Sequence, residues 1–126
     1  MTQRRQVYVC EVCGNMVEVL RAKAGTLVCC AQPMRRAEEN TVDASREKHL
    51  PAVERKGGQI KVAVGSVAHP MAPEHFIEWI EVIHGERAML AHLKAGDPPA
   101  AAFDCPGGPI SVRAYCNLHG LWKTEA

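Results

Sequence analysis

No apolar run in this sequence approaches the roughly 20 residues that a membrane-spanning helix needs. Charge of one sign is missing as well: 15 Lys and Arg stand against 14 Asp and Glu, a net +1. The basic pairs Arg4–Arg5 and Arg35–Arg36 are short, and "AEEN" follows the second, so they read as solvated surface. A nucleic-acid contact would need a longer basic stripe. Neither a membrane nor a nucleic acid is therefore expected as a partner. The opening "MTQRRQVYV" has two arginines but no apolar stretch of signal-peptide length, which leads to the expectation of a cytoplasmic protein. Aromatic residues are scarce, at 5%, yet 47% of the 126 residues are apolar, enough for a core in the larger part of the chain. In a chain without an export signal, six cysteines point to metal binding before disulfides.

Histidine is absent from the first thirty-six residues, which hold four of the six cysteines. All six histidines and the other two cysteines lie beyond. Between the two chemistries runs "RRAEENTVDASREK", polar and poor in large apolar residues. The expected organisation is a small domain over residues 1–36 and a larger one over 37–126, with 37–47 as linker and approach to a site. There is no internal repeat and no low-complexity tract; "PPAAAFDCPGGP" is a Pro/Gly/Ala-rich loop.

Short strands dominate the expected secondary structure, giving an all-β chain. "VYV", "MVEVL" and "TLV" are too short for helices, and glycines separate them. "PAVERKGGQIKVAV" has the form of a hairpin turning at Gly57–Gly58. "FIEWIEVI" and "PISVRAY" are rich in β-branched and aromatic residues. One segment conflicts: "ERAMLAHLKAG", at 86–96, consists of good helix formers and ends in glycine, so propensity alone predicts a helix.

"YVCEVCGNMVEVL" followed by "GTLVCCAQPM" supplies Cys10, Cys13, Cys29 and Cys30. A C-x-x-C before glycine forms a knuckle that aims two thiolates at one metal. A second pair fifteen residues later completes an S4 set suited to zinc or iron. The adjacency of Cys29 and Cys30 is unusual, because neighbouring strand residues point to opposite faces. Both can serve one metal only if the backbone kinks there. On spacing alone, a zinc staple for a domain with little core is an equal reading.

The second set is "SREKHLP" with His49, "VAHPMAPEH" with His69 and His75, and "YCNLHG" with Cys116 and His119. Any one of these histidines, met alone, would be an ordinary packed or surface residue. Pro70 fixes the backbone after His69, His75 lies six residues on, and Cys116 and His119 have metal-ligand spacing. Four imidazoles and a thiolate exceed what a tetrahedral structural zinc uses, and suit a five-coordinate iron with one open position. His84 and His92 stand apart from these motifs and are expected to be non-ligands. Cys105, in "FDCPGG", has no partner at ligand spacing and reads as a bystander thiol.

Taken together, these motifs resemble desulfoferrodoxin, the two-iron form of superoxide reductase, along nearly the whole chain. "CEVCGNMVEVL…LVCCAQPM" is similar to the desulforedoxin domain. "ENTVDASREKHLP", "VAHPMAPEHFIEWIEV" and "YCNLHGLW" are similar to the catalytic domain. The resemblance implies a distorted tetrahedral Fe(Cys)4 centre at Cys10, Cys13, Cys29 and Cys30. It implies a second iron with His49, His69, His75 and His119 around it and Cys116 as axial ligand. Glu47 and Lys48 match the family's acidic and basic residues beside the open iron face. Ala31 departs from the pattern, standing where glycine is common. The implied fold is a desulforedoxin-like β domain followed by an immunoglobulin-like β-sandwich, so residues 86–94 should form a strand despite their helix propensity.

The implied activity is one-electron reduction of superoxide to hydrogen peroxide with uptake of two protons, in defence against oxidative stress. A rubredoxin-like or other small electron donor and a homodimer are implied too. Read without the resemblance, the same residues leave three rivals: a rubredoxin-type electron-transfer protein, a zinc-stabilised binding module, and a superoxide dismutase.

Overall fold

The structure, a computed structural model, describes residues 1–42 and 49–126. No helix occurs among the described residues. Its contacts divide the chain into two units, Met1–Glu38 and Glu39–Ala126.

The first unit is built from five short strands: β1 (Val7–Val9), β2 (Met16–Glu18), β3 (Val28–Cys29), β4 (Gln32–Pro33) and β5 (Arg35–Arg36). β1 lies between β2 and β5, antiparallel to both, and β3 and β4 form a separate hairpin. The third strand begins at Val28 rather than spanning the "TLV" run, because its pairing is with the residues just beyond the cysteine pair. Little apolar surface is buried here: Val7, Cys10, Val19 and Ala37 are the buried apolar residues among those described in this unit. A domain with so small a core depends on a staple for its stability. None of the six cysteines in the chain is in a disulfide, so the staple would have to be a metal held by the four sulfurs of this unit.

The second unit is a two-sheet sandwich. Its strands are β6 (Glu39–Asn40), β7 (Pro51–Lys56), β8 (Gln59–Val64), β9 (Ile77–His84), β10 (Arg87–His92), β11 (Ala100–Asp104), β12 (Ser111–Cys116) and β13 (Gly120–Glu125). One sheet runs β10-β9-β12-β13-β6 and the other β11-β8-β7. Alternation along β8 turns Ile60, Val62 and Val64 inward, and β12 contributes Val112, Ala114 and Cys116. With Ile77, Ile80, Val82 and Phe103 they form one core between the sheets. The β7–β8 hairpin turns at Gly57 and Gly58, with φ of +56° and +78°. Two consecutive positive φ values are what a two-residue hairpin turn matched to strand twist requires, and only glycine takes both without strain.

Residues 87–92 form a strand, as the resemblance implied and against their helix propensity. β10 pairs with β9 from Arg87↔His84 to His92↔Trp79. Met89 and Ala91 pack on the core, while Ala88, Leu90 and His92 alternate with them along the strand. A helix would have scattered those two inward residues around its circumference, so burial on one sheet face outweighs the few tenths of a kcal/mol per residue at stake in propensity. Within the stretch 37–47, Glu39 and Asn40 are part of the larger sheet rather than of a free linker. They run parallel to β13, and Asn40 Nδ2 donates to the Leu121 carbonyl at 3.0 Å.

Candidate metal centres

Backbone geometry gathers the four upstream sulfurs. The C-x-x-C knuckle returns the Gly14 N–H to the Cys10 carbonyl at 2.9 Å, with Gly14 at φ +86°. The N–H of Cys13 faces Cys10 Sγ at 3.5 Å, and that of Asn15 faces Cys13 Sγ at 3.5 Å. At the adjacent pair the chain kinks: Cys30 has φ +53° and Ala31 +62°. This left-handed step brings neighbouring side chains to one side, with Cys29 Sγ 3.9 Å from Cys30 Sγ and 3.6 Å from Cys13 Sγ. Four sulfurs each about 2.3 Å from a tetrahedral metal lie about 3.8 Å from one another. The observed spacings fit that polyhedron.

The thiols differ in readiness. The backbone N–H groups of Cys13 and Val12 hold Cys10 down to about 6, below an ordinary thiol. Cys30, facing the sulfurs of Cys13 and Cys29, is pushed up to about 12, and Cys29 is raised for the same reason. A metal entering the site must displace those protons, so its binding weakens as pH falls.

Ala31 is a specific liability in this kink. An L-residue with a Cβ loses roughly 1–2 kcal/mol in the left-handed region. Ala31→Gly is therefore expected to stabilise the metal-loaded first unit by about 1 kcal/mol, net of the greater freedom glycine gives the unfolded chain. Thermal loss of the four-cysteine centre's visible band should move to higher temperature; a lower midpoint would show that the kink carries no strain.

The second centre draws on three separate parts of the sandwich. His49 precedes β7, His69 and His75 lie on the connection from β8 to β9, and Cys116 and His119 flank the β12–β13 turn. Donor atoms of His49, His75, Cys116 and His119 all lie within 4.8 Å of one another. His69 falls outside that tight group but joins it through its ring. The centroid of His69 is 4.8 Å from that of His49 and 4.7 Å from that of His75. His49–His119 at 4.8 Å and His75–His119 at 5.1 Å close the circuit. Each ring stands edge to face with the next, at 64° to 82°. Four imidazoles thus outline a square of nearly equal sides.

His49 Nε2 and His119 Nδ1 are 3.1 Å apart. Two nitrogens at right angles and about 2.1 Å from one metal would be about 3.0 Å apart. Cys116 Sγ lies 3.9 Å from His119 Nδ1. A β-bulge lies at this residue: Tyr115 pairs with Trp79 but Cys116 with Ile77, which re-aims the end of the strand. Cys116 is fully buried and belongs to the core, whereas His119 is exposed and His75 half-buried. The thiol side of the square is closed, and the edge bearing His119 reaches solvent. Donor set and spacing fit an iron held by four nitrogens and a sulfur.

Tautomers follow from the neighbours. A carbonyl only accepts, so His69 Nδ1 donates its proton to the Pro70 carbonyl at 2.7 Å and leaves Nε2 as the basic nitrogen. Nδ1 of His49 and Nε2 of His69 and His75 are closed off from solvent. Trp122 stacks on His49 at 4.6 Å and 16°, and its Nε1–H donates to the His119 carbonyl at 3.1 Å. One side chain therefore packs on the His49 ring and anchors the backbone of His119. Trp122 carries this support and was missed in the sequence, where it looked like a mere neighbour of the motif.

The remaining expected residues separate cleanly. Glu47 and Lys48 lie outside the described residues. His84 donates from Nε2 to the Gly107 carbonyl at 3.1 Å, far along β9 from the square, and His92 is exposed on β10. Cys105 is buried in the sandwich core.

Two family models match the chain: Desulfoferrodoxin, N-terminal domain, over residues 2–36, and Desulfoferrodoxin over residues 41–125. The chain belongs to the desulfoferrodoxin family. A desulfoferrodoxin of Syntrophotalea carbinolica is 55% identical over 125 residues, covering 99% of each chain. A superoxide reductase of Pyrococcus abyssi is 33% identical over 102 residues, covering 66% of this chain and 89% of its own. The crystal structure of the superoxide reductase from Treponema pallidum superposes with a TM-score of 0.81 at 32% identity, over 94% of this chain and 96% of the other. The four-cysteine cluster and the histidine–cysteine cluster fit the two iron centres of desulfoferrodoxins.

Proposed function

We propose that the chain is a superoxide reductase, and that residues 37–126 form its catalytic domain while residues 1–36 form a small domain stapled by an Fe(Cys)4 centre. The observation that carries this reading is the square of imidazoles from His49, His69, His75 and His119 beside the buried thiol of Cys116. Iron held by these five residues supplies, when bound, the single electron that with two protons turns superoxide into hydrogen peroxide.

The chain's own residues set the conditions for that step. Four neutral imidazoles cancel none of a ferrous ion's charge and Cys116 cancels one unit, so the site carries a net positive charge that draws a small anion. The buried side excludes water from the thiolate, and the open position left for the substrate is the face that Glu47 and Lys48 are assigned to flank. The hydrogen bond from His69 Nδ1 to the Pro70 carbonyl holds that ring in the tautomer whose Nε2 presents a lone pair. A rubredoxin-type electron carrier, the alternative, would leave the four imidazoles as packing, which does not account for their closed square.

Glu47 and Lys48 are assigned the acidic and basic positions at the substrate approach. An ammonium at Lys48 adds to the steering, an effect of ~10-fold or more on association that weakens with salt. Lys48→Ala should accordingly slow the bimolecular reaction with superoxide and flatten its dependence on ionic strength. Equal pulse-radiolysis rates for the two proteins would reduce Lys48 to surface charge.

Cys13→Ser should remove the first centre and leave reaction with superoxide within about twofold of wild type, since all proposed substrate-facing residues lie later in the chain. Loss of both centres together, seen by metal analysis, would show that the first centre supports the second. A rubredoxin-like protein or another small reductant is proposed as electron donor, a homodimer as the assembly, and the cytoplasm as the location. No helix among the described residues is long and apolar enough to cross a membrane.

Metal analysis with optical spectra before and after oxidation tests the whole reading. Two irons per chain with separate bands, and superoxide consumed to peroxide without release of oxygen, are expected. One iron and no reaction would leave only an electron carrier; release of oxygen would mean dismutation.

A further inference from the structure

Asn117 follows the buried Cys116 in the β12–β13 turn and is itself half-buried. Its Oδ1 accepts the Phe76 N–H at 2.9 Å, and its Nδ2 donates to the Glu74 carbonyl at 3.1 Å. Its backbone N–H donates to the Phe76 carbonyl at 3.2 Å. Both ends of one amide thus grip the residues on either side of His75, from a position next to Cys116 and two before His119. An aspartate offers acceptors alone and a leucine neither group, so the two contacts specify an amide.

The other ring-bearing residues have different anchors. His69 is held by the Pro70 carbonyl and by its own N–H to the Val64 carbonyl at 2.9 Å. His49 is buried and stacked on Trp122. His75 lies half-buried on an irregular connection, where Ala72 and His75 exchange backbone hydrogen bonds at 3.0 Å. Packing constrains it less, and the backbone clamp at its two neighbours matters correspondingly more.

We propose that Asn117 is a positioning residue that sets His75 in register with Cys116 and His119, and so tunes iron binding at the histidine site. The inference rests on the reading given under Proposed function. Outer partners that orient metal ligands are typically worth 10- to 100-fold in affinity.

The test uses the full chain, metal-free and then loaded with ferrous iron. Affinity at the histidine site is measured by chelator competition, and the oxidised site by electron paramagnetic resonance. The visible band of the four-cysteine centre in the same molecule is the internal control. Asn117→Ala should weaken iron binding at the histidine site about 10-fold and shift its ferric signal, with the four-cysteine band unchanged. Asn117→Asp keeps the acceptor for Phe76 and loses the donor to Glu74, and should fall between the two; it also serves if the alanine variant fails to fold. Wild-type affinity and signal in both variants would overturn the proposal, as would parallel loss at both centres, which marks general destabilisation. Failure of the unmodified chain to take up iron at the histidine site would instead remove the superoxide reductase reading, and this inference with it.

Discussion

Cys116→Ser is expected to abolish peroxide production from superoxide, lowering the rate at least about 100-fold, equivalent to about 2.7 kcal/mol of barrier. The visible band from thiolate to iron should vanish with it. The thiol is fully buried at the end of β12, within the apolar core, so no solvent would screen the charge it would carry as a ligand. Serine keeps the size and shape of the side chain but stays protonated at any working pH. The substitution therefore removes one negative charge and the electron donation of sulfur at a single point, leaving four imidazoles that can still hold a divalent ion. A buried hydroxyl without a good partner costs about 1–3 kcal/mol, less than a domain's usual stability, so the sandwich should persist. Pulse radiolysis gives the rate, the optical spectrum gives the band, and circular dichroism together with an intact four-cysteine band checks the fold. A wild-type rate in a protein that has lost the band would remove Cys116 from the chemistry and leave it a ligand that only helps to hold the iron.

What could be read from the sequence was chemistry confined to short motifs. Cys10 and Cys13 announce a knuckle by spacing alone, and the four histidines that outline the square each stand in a compact segment. The kink demanded by adjacent Cys29 and Cys30 followed from strand geometry, and the positive φ at Cys30 and Ala31 supplies it. Support from distant residues was hidden. Trp122 meets His49 across more than seventy positions, and Asn117 reaches back to Glu74 and Phe76. No local pattern encodes such contacts, because they arise only when the β12–β13 turn comes to rest beside the other two segments. The strand at Arg87–His92 was legible only through the resemblance: its local preference points to a helix, and only pairing with β9 reverses it. Likewise Glu39–Asn40 looks like a linker until the parallel edge of β13 is present to receive it.

That edge also joins a buried charge network, whose disruption should have the largest effect on stability. Arg113 and Glu81 face each other across β12 and β9, with side chains 2% and 3% exposed. Arg113 donates from Nε and Nη2 to Glu81 Oε1, and from Nη1 to Glu39 Oε2 at 3.2 Å. Lys123 Nζ lies 3.2 Å from Glu39 Oε1 and 3.2 Å from Glu125 Oε1, extending the chain of charges. The pair as a whole need not stabilise the fold, since removing two ions from water offsets most of their attraction. Removing one partner is different. Glu81→Ala strands the guanidinium in the sheet facing Glu39, whose side chain is 35% exposed and better screened. A loss of about 3–5 kcal/mol is expected, lowering Tm by on the order of 15 °C for a domain of this size. The double variant Glu81→Leu with Arg113→Met should recover most of that loss, because neither charge is then left buried alone. Thermal unfolding of the iron-loaded chain, followed by far-ultraviolet circular dichroism, distinguishes the cases. A shift under about 3 °C for Glu81→Ala, or a double variant as unstable as the single, would mean that burial of Arg113 is not what makes Glu81 necessary.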